Sequence, residues 1–177
     1  MNHKEALISL RGEVEQISKT AYVFDDERFY ESYIPNKWSA AQNMEHLFIA
    51  VKPLVGLFGK PQVMIDKWGK ANHASRTYDE VVSVYLDKLK TAGVLPFNPL
   101  DLATEPTKAE QIMKYDLISE QFMESAGSFN EEELDSYQVP HPLIGLMTAR
   151  EFIYFTLYHN RHHREALDRL LALSKNN

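Results

Sequence analysis

An all-α fold is predicted by three observations. Helix-start pairs recur along the chain, apolar residues follow each at three- and four-residue spacing, and strand-length alternation between turn dipeptides is hard to find. Each start is a short polar side chain followed three residues later by a Glu or Gln that can return the hydrogen bond. The pairs are Asn2 with Glu5, Ser39 with Gln42, Thr77 with Glu80, Thr107 with Glu110, and Thr148 with Glu151. A chain of 177 residues, 44% of them hydrophobic, can bury one sizeable core. No repeat or linker-like charge block divides it, so residues 1–177 read as one domain.

The first helix is expected from about Asn2 to Ala21, with Leu7, Leu10, Val14, Ile17 and Ala21 on one stripe. The second opens at Ser39 and carries Leu47, Ala50, Leu54 and Leu57; Pro53, which lacks an amide hydrogen, is expected to kink or end its later part. The third spans Thr77 to about Thr91, with Val82, Tyr85, Leu86 and Leu89 apolar and Gly93 as its stop. Its further apolar residues Val81 and Val84 point either to deeper burial or to contact with a partner chain, and core packing is the expected reading. The fourth runs from Thr107 to about Ala126 with Ile112, Tyr115, Ile118 and Phe122, and the fifth from Thr148 to about Ser174. The stretches between them, 20–38, 59–76, 94–106 and 127–147, read as loops with short helical turns such as Asn130 to Asp135. No sheet is predicted.

Composition removes whole classes of function. A net charge of −6 gives no electropositive footprint for nucleic acid or anionic lipid. The absence of cysteine rules out disulfides, thiolate metal sites and a thiol nucleophile from the protein itself. No stretch approaches the roughly 18 apolar residues of a membrane span, and no basic segment leads into an apolar run at the N-terminus, so a cytoplasmic protein is expected.

The fifth helix carries the most informative segment. Phe152, Phe155, Thr156, His159, His163, Ala166, Leu167 and Leu170 share one face, so two histidines occupy positions where Leu is expected. Four residues apart, their Cβ atoms lie roughly 5–6 Å apart, close enough for two imidazoles to reach one ion. His46 shares a face of the second helix with Ala50, Leu54 and Leu57 and supplies a third candidate. The residues alone leave three readings open: a three-imidazole metal site, core histidines satisfied by hydrogen bonds, or a rotated stripe in which His159 and His163 face water. His162 lies about 60° around the helix from His159, and His159 with His162 is a competing pair. His3, His73 and His141 fall at a terminus or in loops and read as solvated, although His141, between two prolines, could reach a site by loop folding.

Several metal chemistries are excluded. Asn160 stands where a zincin places its catalytic Glu, and no histidine has a Glu three residues before it, as ferritin-like di-iron bundles require. A phosphate loop and a Gly-x-Ser-x-Gly elbow are both lacking.

Trp38-Ser39-Ala40-Ala41-Gln42-Asn43-Met44-Glu45-His46-Leu47, then His141-Pro142-Leu143-Ile144-Gly145-Leu146-Met147-Thr148, then His159-x-x-x-His163 resemble the DinB/YfiT-like metalloenzyme superfamily. The resemblance covers about Trp38 to Leu173. It implies a four-helix bundle of up-down-down-up arrangement with an additional helix and long loops. It further implies a divalent metal, zinc or nickel, on His46, His159 and His163, and a homodimer. Some similar proteins use a small thiol such as bacillithiol, mycothiol or glutathione, and others are described as metal-dependent hydrolases.

These readings lead to three functional expectations. The first is a metal-dependent S-transferase acting on a small-molecule substrate with a low-molecular-weight thiol as cofactor, in which Asn43, Tyr158, Asn160, Arg161 and Arg164 orient the thiol. The second is a hydrolase using the same three ligands to activate water. The third is a non-catalytic binding bundle with a structural metal. The sequence shows no general base beside the trio, so no catalytic residue is assigned. Neither nucleic acid nor membrane is expected as a partner.

Overall fold

The structure, a computed structural model, describes residues 1–35, 37–92 and 106–174. In chain order the elements are α1 (His3–Val23), α2 (Asp26–Tyr30), α3 (Ala40–Phe58), α4 (Gln62–Trp68), α5 (Tyr78–Ala92), α6 (Lys108–Gly127), α7 (Glu131–Ser136), β1 (Gln138–His141), β2 (Gly145–Thr148) and α8 (Ala149–Ser174). All five expected starts form reciprocal pairs. Ser39 accepts from the Gln42 amide while the Gln42 side chain accepts from the Ser39 amide at 2.9 Å, and the same exchange opens α1, α5, α6 and α8. Two donors that a helix otherwise leaves without partners are satisfied each time.

Contacts between side chains give the direction of each long helix. Glu13 meets Arg161 and Thr20 meets Asp168, so α1 and α8 run parallel. Arg11 meets Glu120 and Ser18 meets Asp116, so α6 runs against α1. Glu45 meets Lys114 while Phe58 meets Phe122, so α3 is parallel to α6. Asn43 meets His163 and His46 meets His159, so α3 is antiparallel to α8. The four long helices are therefore arranged up-down-down-up, as the resemblance implied. Their inner faces form one core in which Tyr115, Phe58, Phe122, Leu10, Ile17, Met44 and Leu47 are fully buried.

Several expectations need correction. A two-stranded antiparallel hairpin pairs β1 with β2, with Val139 opposite Met147 and His141 opposite Gly145. Its four-residue strands are too short for alternation to register, and Pro140 lies within one of them. Helices α2 and α4, of five and seven residues, are likewise too short to show a period. Pro53 does not end α3, which continues to Phe58. The buried stripe of α3 is Ala40, Met44, Leu47, Val51, Leu54 and Phe58, which leaves Ala50 and Leu57 only half-buried and puts His46 at the stripe's edge. Helix α5 buries only Val81 and lies over α8 as a cover rather than as a bundle member. His3 is buried rather than solvated, and its Nδ1 pairs with Glu131 at 2.8 Å. The Gly93 stop and residues 94–105 of the expected loop lie outside the described residues.

Candidate metal centre

The antiparallel crossing of α3 and α8 decides what the histidines do. On α8, His159 and His163 point inward with exposures of 6% and 7%, and across the seam the half-buried His46 reaches toward them. The His46 and His159 Nε2 atoms are 2.9 Å apart, and those of His163 and His159 3.2 Å. All three ligand atoms lie within 4.8 Å of one another. Two imidazole nitrogens bound at 2.0–2.1 Å to one tetrahedral ion would be about 3.3 Å apart. The spacing thus fits a divalent cation and leaves a fourth position open.

The donor set supports the same conclusion. Asn43 is buried, and its amide nitrogen donates to the Ser39 carbonyl at 2.8 Å. Its Oδ1 is therefore turned to His163 Nδ1 at 2.8 Å, which must carry the proton and donate it. The lone pair of His163 is left on Nε2, the atom facing the other two histidines. Burial pushes the His46 imidazole down to about 4. His159 and His163 lie well below the ordinary imidazole value, first through burial and then because a charge on any neighbouring ring opposes protonation. All three are neutral near pH 7, the form that binds metal.

Two flat aromatic side chains brace the trio. Trp38, in the turn before α3, stacks on His163 at 5.6 Å with the planes 10° apart and sits 4.5 Å from the His46 ring. Phe155, one turn before His159 on α8, stacks on that ring at 5.3 Å and 17°. Sequence reasoning assigned neither a role, although a large aromatic immediately before a helix cap and another four residues before a ligand were both visible signals. His162 is exposed; its ring packs edge-on to His163 and lies outside the converging trio.

The five residues expected to orient a thiol are not brought together. Asn160 is buried, accepts from the Tyr115 hydroxyl and donates to the Thr156 carbonyl. Arg161 and Arg164 both grip Glu13 on α1, at 2.9 and 2.6 Å, on another face of α8. Tyr158 is half-buried between Tyr85 and His162, its hydroxyl pushed up by burial and therefore protonated. Asn43 does lie at the site, but behind a ligand. Glu45, beside His46 in the chain, turns away to Lys114, and no carboxylate joins the trio among the described residues.

Three neutral imidazoles converging in the seam of an up-down-down-up helical bundle define a class of bundle with a candidate metal centre. The chain belongs to the DinB superfamily, whose family model matches residues 10–167 and so takes in all three imidazoles. Among solved structures it is similar to YfiT from Bacillus subtilis, described as a probable metal-dependent hydrolase with an unusual four-helix bundle topology. The TM-score is 0.64 at 13% identity, over 95% of this chain and 85% of that one, which is a likeness of fold. No curated protein matches the sequence. Among the described residues, no single helix is long and apolar enough to cross a membrane.

Proposed function

We propose that this protein is a metal-dependent hydrolase whose divalent ion is held by His46, His159 and His163. The observation that carries the reading is the convergence of three imidazole ligand nitrogens within 4.8 Å, that of His163 fixed as a lone-pair donor by Asn43. Such an ion acidifies water and polarises a carbonyl or phosphoryl oxygen. The chain's own residues supply the rest. Asn43 holds the tautomer of one ligand, Trp38 and Phe155 fix the ring planes and exclude water from them, and with no fourth ligand to the ion among the described residues there is room for a reactant. The likeness to YfiT supports this reading over the others. The thiol-dependent reading loses support because Asn160, Arg161 and Arg164 are engaged elsewhere.

The test starts with metal content. Wild-type protein purified without a metal-affinity step should carry close to one zinc or nickel per chain, and His46→Ala, His159→Ala and His163→Ala should lose it. Equal content in all four would overturn the site. A panel of activated esters, lactones and amides then tests the reaction. Turnover without added thiol that a chelator abolishes supports hydrolysis. Turnover only after adding bacillithiol, mycothiol or glutathione makes the protein a transferase instead, and a metal-loaded chain with neither is a binding bundle.

A further inference from the structure

The β1–β2 hairpin lies outside the four bundle helices, although Val139 and Met147 join the core, and its tip delivers one more imidazole to the neighbourhood of the trio. His141 closes β1 opposite Gly145, whose φ of +86° is a left-handed conformation that suits glycine at this tight return. The His141 Nδ1 accepts from the amides of Leu143 at 3.2 Å and Ile144 at 3.3 Å. An atom accepting two N–H groups carries no proton, so the hydrogen of the neutral ring is on Nε2. The hairpin tip has thus fixed a tautomer, and Nε2, on the far side of the ring, is directed away from that tip. No hydrogen bond to it is made among the described residues.

The ring's position links it to the metal centre. It packs edge-on to Phe155 at 4.5 Å, and that same Phe155 stacks on His159. It lies near enough to His159 that a charge on His141 would oppose protonation there. The rings of Tyr85 on α5 and Phe152 on α8 also lie beside it, each 6.1 Å away. A neutral, orientationally locked N–H in an aromatic setting, one ring away from a metal ligand, suits an acceptor oxygen and offers no fixed charge.

We propose that His141 Nε2–H is the substrate-orienting donor of this site, binding an acceptor oxygen of a carbonyl- or carboxyl-bearing substrate whose reacting group is at the three-histidine centre. The inference rests on the metal reading of His46, His159 and His163 and extends it to a substrate class. As His141 would touch substrate, it acts in binding and in holding the reacting oxygen, while the protein's water-activating chemistry stays with the trio.

The test uses full-length protein loaded with Co2+ and acetohydroxamate as the probe, followed through the visible spectrum of cobalt. His141→Asn keeps a side-chain acceptor for the Leu143 and Ile144 amides and removes the distal donor. The expected result is unchanged cobalt affinity with acetohydroxamate bound roughly tenfold more weakly, the loss of one hydrogen bond to a charged or polarised oxygen. Equal acetohydroxamate affinity in variant and wild type overturns the proposal, as does wild-type cobalt protein that does not bind the probe. Failure of the wild type to bind Co2+ overturns the metal reading itself, a distinct outcome. Should the variant not fold, the 15N spectrum of the wild-type zinc protein decides: His141 should show an Nε2–H ring whose proton signal moves downfield on adding acetohydroxamate, and an unmoved signal overturns the proposal.

Discussion

Asn43 is where one residue's hydrogen bonds decide the chemistry of another. With its amide nitrogen committed to Ser39, only its oxygen is available to His163, and a carboxamide rather than a carboxylate keeps that ligand a neutral imidazole. Asn43→Leu should weaken zinc binding roughly 10- to 100-fold, measured by competition with a chromophoric chelator, while Asn43→Asp, which keeps the acceptor, restores most of it. Equal affinities in all three proteins would show that the contact does not orient the ligand. His141 allows a pH prediction. Burial lowers its pKa from 6.5 to about 4, and of its ring neighbours Tyr85, Phe152 and Phe155 only Tyr85 titrates, its hydroxyl pushed up by burial. The unfolded chain therefore takes up the proton first as pH falls, so His141 costs stability progressively between about 6.5 and about 4 and nothing well above 6.5. Urea unfolding at pH 7 and pH 5 should show a smaller acid loss in His141→Asn than in wild type; parallel losses would contradict the assignment.

At the scale of elements, the loop leading into α5 is pinned to α8 by one buried carboxylate. Glu151 has no solvent exposure and accepts from the Arg76 amide at 2.7 Å, from its guanidinium at 2.9 and 2.7 Å, and from the Thr148 amide at 3.1 Å. Replacing Arg76 with Met leaves that charge with backbone partners alone and should cost about 3 kcal/mol in urea unfolding. The double variant Arg76→Met with Glu151→Met should cost less than the single one, because the uncompensated charge is gone. A double variant less stable than the single one would mean that the carboxylate matters chiefly as a cap. Thr148 with Glu151 illustrates what the sequence made legible: a start signal is local, so its chemistry lies within four residues of chain. The four bundle helices and α5 were readable for that reason, and the stripe on α8 placed His159 and His163 inward because a run of 26 residues repeats its period many times. Helix α3 was harder to read. The stripe ending in Val51 and Phe58 competes with one through Ala50 and Leu57, and only packing against α6 and α8 selects between them. The hairpin's four-residue strands are too short to show an alternation, and the burial of His3 depends on a partner distant in sequence, Glu131, so no local pattern encodes either.

For the whole molecule, the consequential feature is that the proposed ligands come from segments separated by 113 residues and meet across the seam between α3 and α8. That seam is packed less extensively than the α1–α8, α3–α6 and α1–α6 pairs. Sparse packing leaves space for a reactant, and it also means that the proposed ion, joining His46 to α8, would contribute a large share of what closes the seam. A ligand that binds only the folded state at 1,000 times its Kd adds about 4 kcal/mol, equivalent to roughly 8–16 °C in Tm for a chain of this size. A chelator should therefore lower the wild-type Tm by about that amount and leave His159→Ala, already without the ion, nearly unchanged. Hydrogen exchange should locate the loss. Amides in the first half of α3 and the middle of α8 should exchange faster after chelation, while those in the α1–α6 pair keep their protection. Uniformly faster exchange throughout the bundle would show that the ion supports global stability instead, and an unchanged pattern would mean that the seam holds without it.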